Sequence, residues 1–306
     1  MNAGTLNLPN GAKFNSIVFG NSSPTLNGGT ITTSGDFNFT MTGGTVKIGS
    51  VLAGNSKIIN AAGTSYLWLN SASTLTGDAS GVVLDMTSAT GNTIVNAAQV
   101  NWGATKTVKM AGDLLLRVDD ALGAAKLEIT SGTLYSTSNA RFLSSPVSLK
   151  GKLALGSWID SAQGDYRYAL NLRGAVDLNA ATREVNTAVD LTLSGPVTNG
   201  AITKTGAQQL TMSGDVASKG ALGGVTAFTL STGDATFANA TSLEGTYTAT
   251  TGTSTFTGAT YLRSIVFGNS SPTLNGGTIT TSGDFNFTMT GGTVKIGSVL
   301  AGNSKI

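Results

Sequence analysis

The chain has 306 residues, with 41 Gly, 46 Thr and neither Cys nor His; only 11% of residues are charged, and the net charge is +2. Disulfides, thiolate metal sites and any mechanism that uses imidazole are therefore excluded, and so small a basic excess argues against nucleic-acid binding. With 40% apolar residues but no unbroken apolar stretch of about 18, the composition predicts a core-forming, β-rich chain without a membrane-spanning helix.

Along the chain, short runs alternate apolar with polar residues, the period of a half-buried strand. The first are Ser16-Ile17-Val18-Phe19, Gly29-Thr30-Ile31-Thr32, Asp36-Phe37-Asn38-Phe39 and Gly44-Thr45-Val46-Lys47-Ile48. The pairs Gly28-Gly29 and Gly43-Gly44 punctuate them and are expected to make the repeat turns. Phe37 and Phe39 share strand parity, which places both in the core. Similar runs follow at Tyr66–Leu69 and Thr107–Met110, and Gly, Asn, Asp or Ser separates most neighbours. Asp113 to Glu128, rich in Leu, reads equally as a short helix or a longer strand.

Two echoes set a coil length. Leu191-Thr192-Leu193-Ser194-Gly195 returns at an offset of 19 as Leu210-Thr211-Met212-Ser213-Gly214, and Ala235-Thr236-Phe237 returns at the same spacing as Ser254-Thr255-Phe256. A longer period encloses the short one. Ser16 to Ile58 is repeated letter for letter from Ser264 to Ile306, 43 identical residues at an offset of 248. This organisation predicts one unit over residues 1–263, with Ser16 to Arg263 as its period, and the start of an identical unit over 264–306. The expected fold is all-β: a parallel β-helix, or β-solenoid, forming an elongated rod with about 12 to 13 coils per 248-residue unit. Thr suits such stacking, because its branched Cβ favours extended backbone and its methyl packs on the rung below. An immunoglobulin-like string of sandwiches is the competing fold, but Trp68, Trp102 and Trp158 are not spaced for one.

Ala181 to Gly214, ATREVNTAVDLTLSGPVTNGAITKTGAQQLTMSG, resembles the autotransporter-associated β-strand repeat. The matching positions are Leu191, Leu193, Ser194 and Gly195, then Ile202, Thr203, Lys204, Thr205 and Gly206, and finally Leu210, Thr211, Met212, Ser213 and Gly214. Gln208 stands where that repeat has a second Gly, and Asp215-Val216-Ala217-Ser218 departs from its continuation. The resemblance implies a right-handed parallel β-helix in an exported bacterial surface protein.

Candidate chemistry is sparse. Asp119, Asp120, Glu128, Asp160 and Asp165 are the carboxylates with an acidic neighbour close by, and a glycosidase would need two such groups across a cleft. Lys150, Lys152, Tyr166 and Arg167 could join Asp160 and Asp165 in a lyase-like set, but a solvated charged edge is the simpler reading. No catalytic residue, metal or cofactor is expected. The expected function is structural: a repeat of an extracellular bacterial fibre or adhesin stalk, stacking head to tail. Its partners would be further copies of itself, surface glycans or other cells, with no nucleic acid and no membrane insertion. The alternative is a carbohydrate-binding or carbohydrate-cleaving β-helix like a tailspike, which an aromatic or acidic groove on one face would favour.

Overall fold

The computed structural model describes residues 4–15, 17–19, 23–39, 43–61, 66–89, 91–160, 164–215, 221–238, 241–268, 271–287 and 292–302; the side chains of 158–165 and 287 lie outside that description. The chain divides into two compact units. One comprises Met1–Val147 with Ser157–Tyr168, the other Ser148–Gly156 with Ala169–Ile306. Each is a parallel β-solenoid, and no helix occurs among the described residues.

In the first unit, Leu6, Leu26, Ile48, Leu69, Val95, Leu116 and Ser136 stand rung upon rung in parallel register. Each rung follows the last after a little more than the spacing of the sequence echoes, and the longest coil runs from Leu69 to Val95. Most inward positions are apolar and buried, while the intervening side chains face out, so alternation in the sequence becomes a two-sided wall. Phe37 and Phe39 are core residues, as their parity predicts, and Phe39 stacks on Phe19 with ring centroids 4.4 Å apart. Asp113 to Glu128 resolves to two strands, Asp113–Leu116 and Lys126–Ile129. The bend between them buries Ala121 and Leu122 completely. Burial of Leu114, Leu115 and Leu116 explains why this stretch does not alternate: the wall is covered on both sides here.

The cover is an antiparallel hairpin. Trp158–Asp160 pairs with Gly164–Tyr166, matching Trp158 to Tyr166 and Ile159 to Asp165. The ladders between successive coils, by contrast, run parallel. Tyr166 is fully buried against Ile94 and Leu115, two outward-facing apolar residues that would otherwise meet water.

The second unit repeats the construction. Leu170, Leu191, Leu210, Ala235, Ser254, Leu274 and Ile296 form one inward column, and its shortest steps are the two sequence echoes. Beside it, Leu172, Leu193, Met212, Phe237 and Phe256 form another. Both echoes are pairings in register: Leu191-Thr192-Leu193 on Leu210-Thr211-Met212, and Ala235-Thr236-Phe237 on Ser254-Thr255-Phe256. Aromatic rings thicken this core: Phe237 stacks on Phe256 at 5.1 Å, and Tyr247 closes on both.

Candidate functional site

The stretch that resembles the autotransporter repeat builds two rungs of the second unit. Leu191, Leu193, Leu210 and Met212 point inward and are buried, with Thr192 and Thr211 facing out between them. Ile202 and Lys204 also take inward parity, while Thr203 and Thr205 face out. Ser194 and Ser213 donate their backbone N–H to Leu172 O and Leu193 O, leading the chain off the strand. Gly195 and Gly214 then lie so close to the rung below that a side chain has no room. A Cβ on Gly214 would come within 2.0 Å of Gly195 O, and one on Gly195 within 2.1 Å of Gly174 O. Gly206, with φ +84°, begins a second column of turn glycines continued by Gly233 and Gly252.

Lys204 is the unexpected member of this motif. It occupies a core column between Val185 below and Leu230 above, and is fully buried. Its Nζ curls to the coil corner and donates to Gly206 O at 2.7 Å, Thr232 O at 2.9 Å and Thr205 O at 3.2 Å. One ammonium thereby ties two successive turns. Burial pushes its pKa down to about 8, against the pull of the Asp234 and Asp190 carboxylates, because a charged ammonium loses its hydration there.

The duplicated segment is the second candidate. Thr25 pairs with Lys47, Leu26 with Ile48, Thr30 with Val51 and Ile31 with Leu52. At an offset of 248, Thr273 pairs with Lys295, Leu274 with Ile296, Thr278 with Val299 and Ile279 with Leu300. The turns coincide as well: φ is +74° and +54° at Gly28 and Gly29, and +76° and +53° at Gly276 and Gly277. Gly44 at +89° also needs glycine, but Gly43 does not; a Cβ there would meet nothing within 4 Å. The equivalence continues beyond the identical letters. Thr5-Leu6-Asn7 lies under Thr25-Leu26-Asn27 as Thr253-Ser254-Thr255 lies under Thr273-Leu274-Asn275, again at the same offset.

Among the described residues, the sequence-selected Asp119, Asp120 and Glu128 each have their own partner. Asp119 and Asp120 accept backbone N–H groups from Phe142 at 3.2 Å and Ser144 at 2.7 Å. Glu128 pairs with Lys126 at 2.6 Å, and Lys152 with Glu184 at 2.7 Å. The side chains of Asp160 and Asp165 lie outside the described residues. Elsewhere, acids cap the rung that follows them: Asp36 accepts from Lys57 N, Asp113 from Thr133 N, Asp190 from Gln209 N and Asp234 from Thr253 N. Asp78, bonded to Ser80 and Lys57, is held well below the usual carboxylate range, so it is committed to charge and structure. Among the described residues, no three acidic side chains gather in a way that could hold a metal ion.

Sequence reasoning missed an aromatic face on the first unit. Lys47, Trp68, Ile94, Leu115 and Tyr135 form one outward column. The Arg117 guanidinium lies 4.5 Å from the Trp68 ring centre and 5.7 Å from that of Tyr166, and its Nε donates to the Tyr166 hydroxyl at 3.2 Å. Lys47 Nζ sits 5.6 Å from the Trp68 ring centre, and Tyr135 meets Tyr166 edge-on. Trp68 Nε1 is buried and makes no hydrogen bond among the described residues. The signal that could have found this face is Leu114-Leu115-Leu116, an apolar run that requires cover on both sides. No protein-family model, curated protein or solved structure matches the chain.

Proposed function

We propose that the chain is a structural repeat of an extracellular bacterial fibre or adhesin stalk, which lengthens by adding solenoid coils head to tail. The observation that carries this reading is the recurrence of register at an offset of 248, which holds at positions 5–7 even where the letters differ. A unit whose end reproduces its own beginning can be appended without a change of geometry. The role is mechanical: backbone ladders and stacked inward columns resist unfolding and proteolysis, and repeat number sets length. The likeness of Ala181–Gly214 to autotransporter repeats supports placement on a cell surface. Asp36, Asp113, Asp119, Asp120 and Glu128, each tied to a backbone N–H group or a lysine, support a role without catalysis.

The test is a series of chains carrying one, two and three copies of Ser16–Arg263, imaged by electron microscopy. Equal increments of contour length are expected; compact particles that grow in all directions would overturn the reading. A carbohydrate-binding role is the second reading, favoured by Tyr66, Trp68 and Tyr135 on one outer face of the first unit. Calorimetric titration with bacterial surface polysaccharides tests it: binding heat that disappears in Trp68→Ala would support a glycan site on this face, whereas heat unchanged in Trp68→Ala, or no heat at all, would overturn it.

A further inference from the structure

Four asparagines are followed directly by glycine: Asn10-Gly11, Asn27-Gly28, Asn199-Gly200 and Asn275-Gly276. Such a pair can react with itself, because a glycine nitrogen with no Cβ beside it can close on the asparagine Cγ. Two conditions decide whether it does: the nitrogen must be released from backbone pairing, and the side-chain amide must be able to turn toward it. The fold separates the four pairs on both counts. Gly11 N–H donates to Leu8 O at 2.9 Å, so that nitrogen is engaged. Asn199 is anchored through Nδ2 to Asp177 Oδ1 at 2.9 Å, and Gly200 stands in the ladder between Ala181 and Val225. Asn27 and Asn275 differ from both. Each faces solvent, and among the described residues neither side-chain amide makes a hydrogen bond. Their Oδ1 atoms lie over Gly49 and Gly297, where a Cβ would come within 2.6 and 2.9 Å; glycine on the next rung leaves the amide room to move. Gly28 and Gly276 fall where the register shifts, with φ of +74° and +76°, and stand outside the ladders to the rungs on either side. A backbone group outside the ladder and exposed to solvent is the kind that opens most readily.

We propose that Asn27 and Asn275 are sites of spontaneous self-modification, at which the folded chain converts asparagine to aspartate and isoaspartate with water as the only co-reactant. The Gly28 nitrogen gives its proton to solvent hydroxide and forms a bond to Asn27 Cγ. The Cγ–Nδ2 bond then breaks, and ammonia leaves from a cyclic imide. Water opens that imide at one of its two carbonyls. Opening at Cγ restores the normal backbone with aspartate; opening at the main-chain carbonyl leaves isoaspartate, whose backbone runs through the side chain. Water enters and ammonia departs, so nothing is oxidised or reduced. The same steps apply to Asn275 with Gly276. Each event sets a carboxylate on an outer wall that was neutral at that point. Lys47 and Lys295 stand diagonally across the next rung, near enough to favour the new charge. Isoaspartate also adds a methylene to the main chain at a rung where Asn27 O accepts Leu8 N–H at 2.8 Å. On the fibre reading, an array would carry one such site in every 248 residues, and its accumulated charge would record its age.

The experiment incubates the full chain in mildly alkaline buffer, folded and in urea, and follows tryptic peptides by mass spectrometry over time. Cleavage after Lys13, Lys47, Arg263 and Lys295 puts the two sites on separate peptides, 14–47 and 264–295, while 1–13 and 184–204 carry Asn10 and Asn199. In the folded chain, the mass gain of amide-to-acid exchange is expected at Asn27 and Asn275 at similar rates, several-fold faster than at Asn10 and Asn199. In urea the four rates should draw together, because the Asn-Gly sequence is then all that distinguishes these positions. Asn27→Gln should silence the site in peptide 14–47 and leave Asn275 unchanged. A folded chain in which Asn27 and Asn275 react no faster than Asn10 and Asn199 would overturn the proposal. So would a folded chain that stays unmodified at both sites while the unfolded chain reacts. Neither result bears on the fibre reading, which is tested by contour length.

Discussion

Lys204 shows how one residue can be both stitch and burden. Its three carbonyl partners belong to two successive turns, so the ammonium links coils that ladder hydrogen bonds alone would leave free at the corner. Against this stands the loss of hydration, which brings its pKa to about 8 from an ordinary 10.5. The folded state therefore favours the neutral amine, whereas the unfolded chain keeps the proton until about 10.5. Below pH 8 both states are protonated and the full burden is present. Between pH 8 and 10.5 the unfolded state binds more protons, so stability rises with pH, by up to about 3 kcal/mol across the window. Denaturant titrations of wild type and Lys204→Met at pH 7 to 10.5 should show that rise in the wild type alone. Equal pH slopes in the two proteins would mean that Lys204 stays charged through the window. Gly214 gives a sharper steric case. A Cβ there points at Gly195 O from 2.0 Å, with no flexible side chain to yield, so the backbone must move. Gly214→Ala is expected to cost more than about 1 kcal/mol, beyond what the entropic gain of alanine returns. Gly43→Ala, which meets open space, should be neutral or slightly stabilising by the same assay.

The strand and the hairpin obey different rules, and they were unequally legible. Tyr166 is buried over Ile94 and Leu115 and accepts a hydrogen bond from Arg117, so the hairpin is pinned by packing and by cation–π contact. Tyr166→Ala should destabilise the first unit by about 3 to 5 kcal/mol, as buried aromatic truncations do. Tyr166→Phe should cost only the hydrogen bond, about 1 kcal/mol. Urea unfolding would read both; changes below about 0.5 kcal/mol for Tyr166→Ala would mean that the hairpin merely rests on the surface. The parallel rungs could be read beforehand because alternation and repetition agree there: Leu191-Thr192-Leu193 and Leu210-Thr211-Met212 share parity, spacing and closing Ser-Gly, and they pair in register. The hairpin could not, because such short strands carry no period and its cover is needed by Ile94 and Leu115, far away in sequence. Asp113 to Glu128 reads as helix or strand for a related reason, since the three consecutive leucines within Asp113–Leu116 erase the strand alternation. The burial of Lys204 follows inward parity, yet residue type alone points it outward. Asp119 and Asp120 stand out in the sequence as neighbours along the chain; in the fold their work is across it, accepting the backbone N–H groups of Phe142 and Ser144 one coil onward.

At the scale of the whole molecule, a solenoid is a sum of neighbours. Each coil touches the one before and the one after, so stability distributes as intrinsic coil terms plus nearest-neighbour interfaces. The duplicated segment gives a controlled test, because the same 43 letters occur twice above different coils. Leu26 and Leu274 are equivalent and buried, yet Leu26 rests on Leu6, which is 38% exposed, whereas Leu274 rests on fully buried Ser254. Truncating either to Ala removes the same methyl groups and should weaken its own copy by about 2 to 5 kcal/mol. Coupling is confined to neighbouring rungs, so Leu26→Ala should accelerate amide exchange within residues 17–54 and leave 265–302 unchanged; Leu274→Ala should do the reverse. Copies with identical sequence yield identical internal peptides. The measurement must therefore follow peptides that run into the flanks, Lys13–Asn15 for one copy and Tyr261–Arg263 for the other. If Leu26→Ala loosens both copies equally, stability is shared across the chain rather than passed between neighbours, and repeat number could not set length without also changing the strength of every coil.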